Sequence, residues 1–231
     1  MISENDFSLN LASVRERLEN ACNQNGRSSE EVTLLPVTKN WPSDAVELCR
    51  NAGIFRVGEN RVQEAVTKME SVEAVDFDLI GHLQGNKAKQ AVGKFSCIQS
   101  VDSEKLLEKL ARLADERDLV QKILLQVNAG NDPAKFGISI ENCSLIVEKA
   151  LKLQSLEVLG FMTIAPFDPE NKNTAKETFA KLRKLRDEMS FAFGRPFTEL
   201  SMGMSGDLDE AISEGSTMIR VGSALFGERI K

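Results

Sequence analysis

The chain has 231 residues, of which 42% are hydrophobic, and carries a formal net charge of −6. That length accommodates one large or two small domains, and the apolar content supports a buried core rather than disorder. The acidic balance disfavours duplex nucleic acid as a partner, and no apolar run reaches the roughly 18–20 residues of a membrane span. The N-terminal segment MISENDFSLN lacks a basic region followed by an apolar one, so a cytoplasmic chain without a secretory leader is expected. Cys22, Cys49, Cys97 and Cys143 lie far apart with no CxxC pair, and there is one histidine. That spacing suits neither a zinc site nor a disulfide framework and reads as packed thiols. Lys87, Lys89 and Lys94 read as a solvated helix face.

In chain order, a helix over 6–23 comes first, expected to pack against the side or one end of the strand-bearing body. Short β-branched or apolar runs then mark strands at 33–38, 54–57, 77–80, 96–100, 123–128, 157–162, 199–202 and 218–221. Helical periods separate them. The clearest is SEKLLEKLARLADERD, where Leu106, Leu107, Leu110 and Leu113 make one apolar stripe. Asp102 or Ser103 is its expected cap, and Glu108 and Arg112 form an i,i+4 pair. A later helix buries Phe179, Leu182 and Leu185. Regular strand–helix alternation predicts a parallel sheet, and eight repeats predict closure. The expectation is therefore an α/β chain, a single (β/α)8 TIM-type barrel over 1–231 with an extra N-terminal helix.

In such barrels function collects where strands run out into loops. Lys39 follows the apolar run LLPV, so its amine leaves a dry strand toward the barrel mouth. Partial desolvation disfavours ammonium and favours the neutral amine that attacks an aldehyde. A lone lysine at a strand end more often just reaches solvent, so the signal lies in its combination with the last two loops. In LSMGMSGD, Ser201 offers a hydroxyl while Gly203 and Gly206 allow close backbone approach. Gly222 exposes backbone N–H groups and Ser223 adds a hydroxyl at the start of SALFG, a helix N-terminus suited to a phosphate. Taken singly, either loop could be a plain turn. Arg220 adds a fixed cation that can donate to a pyridine nitrogen without usefully protonating it. A phosphate ligand or an ordinary ion pair is its plainer reading.

The motifs PVTK, GENRVQE, LIGHLQGNK, QVN, GFMTI, LSMGMSGD and GSTMIRVGSALFG occur in this order. Together they resemble the pyridoxal phosphate homeostasis protein family, which is related to the N-terminal barrel of alanine racemases. The resemblance runs from Leu34 to Gly227. It implies pyridoxal 5'-phosphate (PLP) held as an internal aldimine on Lys39, with Arg220 facing the pyridine nitrogen. It also implies phosphate contacts at Ser201, Gly222 and Ser223, with Asn60 and Met162 lining the ring or its 3'-oxygen side. Two positions depart from the commoner pattern, Arg61 where an aromatic residue is frequent and Asp78 where a histidine is frequent. The implied role is non-catalytic storage, buffering or delivery of the cofactor, with PLP-dependent apo-enzymes as recipients.

A racemase-like enzyme on the same barrel is the alternative, and a barrel enzyme for another phosphorylated ligand is a third. Two-base racemisation needs a proton donor on each face of the substrate, a tyrosine from a further domain in alanine racemases. This chain contains no tyrosine. His82 is the candidate substitute but has no evident partner in the sequence. Glu59 reads as a helix N-terminal residue complementing the dipole. A monomer is expected, since no apolar arm stands out.

Overall fold

The computed structural model describes residues 2–168 and 170–227. Helix α1 spans Glu4–Gln24 and is capped by Ser3, whose hydroxyl accepts from the Asp6 amide at 3.1 Å. Its buried residues Phe7, Leu11, Val14 and Leu18 recur at steps of three and four, so one face turns inward. Strands and helices then alternate: β1 (Thr33–Pro36), α2 (Asp44–Asn51), β2 (Arg56–Glu59), α3 (Val62–Ser71) and β3 (Asp76–Leu79). The middle of the chain adds α4 (Ala88–Ala91), β4 (Cys97–Val101), α5 (Glu104–Asp115), β5 (Gln121–Gln126) and α6 (Ile140–Leu151). Last come β6 (Leu156–Met162), α7 (Lys172–Ala192), β7 (Glu199–Met204), α8 (Leu208–Ser213), β8 (Met218–Val221) and α9 (Ser223–Phe226).

Neighbouring strands are parallel in the order β1-β8-β7-β6-β5-β4-β3-β2. A parallel bridge between Val37 and Gly58 joins the two ends, with the Thr38 amide donating to the Gly58 carbonyl at 3.1 Å. This is the expected eight-stranded barrel. Helix α1 lies on its side against α8 and α9, where Asn10 donates to the Leu225 carbonyl at 2.9 Å and Phe7 stacks on Phe226. Among the described residues no helix is long and apolar enough to cross a membrane.

Two strands start two residues away from their sequence-based positions, and both shifts have local causes. The second begins at Arg56 instead of residue 54, because the Ile54 amide still closes the end of α2 on the Cys49 carbonyl. The fifth begins at Gln121, whose side chain binds the Gly93 amide and the Phe95 carbonyl and so fixes the strand entry. In α5 all four predicted leucines are buried, each contributing about 1.5–3 kcal/mol. Ser103 is the cap, accepting from the Leu106 amide, and Asp102 is left for another task. Arg112 lies 3.6 Å from Glu116, one turn onward, and not on Glu108. Phe179, Leu182 and Leu185 are buried as their period predicts, and all four cysteines are buried free thiols. Burial pushes the Cys49 and Cys143 thiols up to about 12, which keeps them unreactive.

Candidate functional site

A cavity of about 1070 Å³ opens at the ends of the strands. Its wall includes Lys39 after β1, Asn60 after β2, His82 after β3, and Arg220, Gly222 and Ser223 at the end of β8. Five of the seven predicted ligands (Lys39, Asn60, Arg220, Gly222 and Ser223) therefore converge.

Lys39 is half-buried, and both its chain neighbours are tied down. The Thr38 hydroxyl donates to Glu59 Oε1 at 2.6 Å, and the Thr38 carbonyl accepts from Lys68 Nζ at 2.7 Å. Lys68 also binds Glu59 at 2.5 Å and Glu64 at 2.9 Å, and Glu64 accepts the Asn40 amide. Asn40 adopts a positive φ of 59°, which asparagine tolerates, so the chain turns sharply just after Lys39. Glu59 is thus no helix-start residue. It ends β2 wholly buried, while α3 starts at Val62 with Arg61 as its N-cap. Burial raises its carboxyl above the usual range, against the pull of Lys68 and Thr38.

Arg220 is buried, with Nη1 donating to Ser201 Oγ and Nη2 to the Thr163 carbonyl, both at 2.8 Å. Burial lowers its guanidinium to about 10, against the attraction of Asp207, so it still carries its proton near neutrality. Asp207 caps the turn after β7 by accepting the Met204 amide at 2.6 Å, and burial raises its carboxyl.

Two predicted residues are placed elsewhere. Ser201 is fully buried behind Arg220, and its hydroxyl is committed to Gln99 and Arg220, off the cavity wall. Met162 packs with Cys97 and Leu124 inside the barrel. In that loop the serine that does line the cavity is Ser205, four residues on, with its carbonyl held by Arg17 of α1 at 2.6 Å. Gly206 also lines the wall, whereas Gly203 does not. Gly203 has φ 95°, and a Cβ there would lie 2.4 Å from the Ala211 side chain, so its glycine serves the turn into α8.

The backbone amides of Ser205, Gly206, Gly222 and Ser223 donate to no other group among the described residues. Four uncommitted N–H groups in two loops that line a cavity also holding a fixed cation suit an anion. This donor set fits the phosphate of PLP.

His82 does have partners, which its sequence neighbourhood conceals. Its Nδ1 lies 2.8 Å from Asp102 Oδ2 at the end of β4, and its ring stacks on Phe136 at 3.8 Å between centroids. Both follow the next strands of the sheet, so only strand pairing brings them together. Trp41 and Phe136 add apolar wall that sequence motifs had not marked, beside Ile164 of GFMTI.

The model of the alanine racemase N-terminal domain family matches residues 9–230. The pyridoxal phosphate homeostasis protein of Aquifex aeolicus is 39% identical, over 95% of this chain and 96% of its own. The structure of PipY from Synechococcus elongatus with PLP bound is similar at a TM-score of 0.83 and 36% identity, covering 96% of this chain and all of that one. An alanine racemase from Clostridium difficile shares the fold at a TM-score of 0.80 and 14% identity, over 58% of its own length.

Proposed function

Because the chain belongs to the pyridoxal phosphate homeostasis protein family, we propose that it holds PLP reversibly on Lys39 and serves intracellular PLP homeostasis without catalytic turnover. The observation that carries this is the convergence of Lys39, Arg220 and four unengaged backbone amides on one cavity. Bound PLP supplies an aldehyde that an amine captures as an imine. The protein's own groups then divide the work. Lys39 provides the amine, and the amides of Ser205, Gly206, Gly222 and Ser223 hold the phosphate. Arg220 donates to the ring nitrogen, and a guanidinium there leaves the ring a weak electron sink, as suits a carrier more than a catalyst. Asn60 stands on the wall for the 3'-oxygen side. The same reading makes the chain one structural unit, a cytoplasmic monomer that stores the cofactor and releases it to apo-enzymes.

Incubation with PLP is expected to give a visible imine band, which borohydride converts to a stable adduct on Lys39 by peptide mass. A colourless protein without adduct overturns the proposal. The second reading, a racemase-like enzyme, has the His82–Asp102 pair on its side. Deuterium exchange at Cα of alanine separates the two, and no exchange above a free-PLP control is expected.

Phosphate recognition has its own check. With the Ser205 hydroxyl added to its amide as a phosphate donor, Ser205→Ala, which removes only the hydroxyl, is expected to weaken PLP binding roughly tenfold, about the contribution of one hydrogen bond to a charged group, without changing pyridoxal binding. Ser201→Ala should leave the ratio of PLP to pyridoxal affinity unchanged. Equal loss of that ratio in both variants would restore Ser201 to the phosphate.

A further inference from the structure

The interior of such a barrel is usually filled by branched apolar side chains. This one instead buries Asp78 on β3, Gln99 on β4, Ser201 on β7 and Arg220 on β8. Buried polar groups are costly unless paired, and these are paired in series. Arg220 Nη1 donates to Ser201 Oγ at 2.8 Å, and Ser201 donates to Gln99 Oε1 at 2.6 Å. Gln99 Nε2 donates to Asp78 Oδ2 at 2.5 Å, and its other proton points to Met218 Sδ at 3.1 Å. The chain ends on Arg56, which grips Asp78 with two bonds of 3.0 and 2.8 Å and is itself one-third exposed.

The order of donors along this chain is forced from the Asp78 end. A carboxylate only accepts, so the amide group of Gln99 must turn its NH2 toward it and its carbonyl toward Ser201. That carbonyl also only accepts, so the Ser201 proton is committed to it. The oxygen of Ser201 is then left with lone pairs for Arg220. With the Thr163 carbonyl on Nη2, this fixes the plane of the guanidinium that faces the cavity. Asp207 acts on the same cation from the loop after β7, but it is part of the cavity wall and not of the chain.

We propose that Asp78 is a positioning residue for Arg220, setting its orientation across the barrel through the one-way chain Gln99–Ser201. The effect on the cofactor rests on the PLP-binding reading; the effect on Arg220 does not. With an apolar residue at 78 the Gln99 amide is free to flip. Ser201 is then offered an N–H instead of a carbonyl, and its lone pairs are no longer reserved for Arg220. An asparagine at 78 can still present an oxygen to Gln99 and preserve the order of donors.

The test uses the full chain, first without cofactor. Slow rotation of the Arg220 guanidinium, read as separate Nη resonances by nitrogen NMR, is expected in the wild type and in Asp78→Asn. Asp78→Leu is expected to merge them. With PLP added, Asp78→Leu should shift the imine band and lower affinity about tenfold, while Asp78→Asn stays near wild type. Gln99→Met breaks the same chain one link on and should reproduce both effects if Asp78→Leu fails to fold. Unmerged Arg220 resonances in a folded Asp78→Leu or Gln99→Met overturn the proposal. A wild type that shows the resonances but binds no PLP would overturn the cofactor reading alone.

Discussion

Lys39→Ala is expected to abolish the imine band and to leave a weak, non-covalent site for the same cofactor. The anion cradle and Arg220 are built from other strands, so phosphate and ring nitrogen keep their partners. A loss of about a hundredfold in affinity, or ~2.7 kcal/mol, is expected from removing the imine. Thermal shift reads it directly. At a free PLP concentration near 100 times the wild-type Kd, binding stabilises the wild type by about 2.7 kcal/mol. For a chain of this size that corresponds to roughly 5–10 °C in Tm. At the same concentration the variant sits near its own Kd and gains about 0.4 kcal/mol, or ~1 °C. Without PLP the two melting temperatures should coincide within a degree or two, since Lys39 is half-buried beside a loop held by Thr38 and Asn40. An unshifted wild type, or a variant that keeps the band, would refute the assignment of Lys39.

The barrel was legible because each strand is a short apolar or β-branched run between segments of helical period, and those patterns survive without tertiary context. The site was legible where a strand end carries its functional residue straight into a loop, as at Lys39, Asn60, Gly222 and Ser223. Where a strand loses its alternation, the expected residue lies off the cavity wall. The pairing of β7 with β8 shifts register between Ser201 and Met204, and Gly203 turns with a positive φ. The segment LSMGMSGD offers two serines, and of these the cavity wall includes Ser205 and not Ser201. Between β5 and β6 a similar shift follows Ile123, upstream of Met162, which ends inside the barrel. The partners of His82 and the chain from Asp78 to Arg220 were illegible for a different reason. Their members lie 19 to 102 residues apart and meet only once the sheet assembles and, for Gln99 and Ser201, curls into a ring. A buried glutamine, serine or aspartate on a strand carries no local sign of what lies across the barrel.

Lys68 is hidden in the same way and carries the largest expected effect on stability. By its place on α3 it reads as a surface lysine, yet it is 4% exposed and holds Glu59, Glu64 and the Thr38 carbonyl. Lys68→Met keeps the aliphatic stem and removes the charge. Glu59 then remains as a buried carboxylate whose Oε2 already lacks a hydrogen bond. Breaking a buried pair from one side costs about 3–5 kcal/mol, or roughly 6–20 °C in Tm here. Protonation of Glu59 offers an escape that limits the penalty. Moving a carboxyl with an ordinary pKa near 4.3 to its neutral form at pH 7 costs ~3.7 kcal/mol, falling by ~1.4 kcal/mol per pH unit. Proton counts set the sign of the pH dependence. Glu59 already titrates above its unfolded value, and losing Lys68 raises it further. Between the unfolded and folded values the native state holds more protons than the unfolded chain, so stability increases as pH falls. The melting deficit of Lys68→Met against wild type should therefore shrink from pH 7 to pH 5. The double variant Lys68→Met/Glu59→Gln should recover much of the loss and flatten that dependence. A deficit independent of pH would mean that Glu59 is not the group left uncompensated. Because Lys68 and Glu64 also pin the residues on either side of Lys39, the single variant should bind PLP more weakly than wild type at either pH. A stability loss with PLP affinity unchanged would show that the clamp supports the fold and leaves the placement of Lys39 to the rest of the loop.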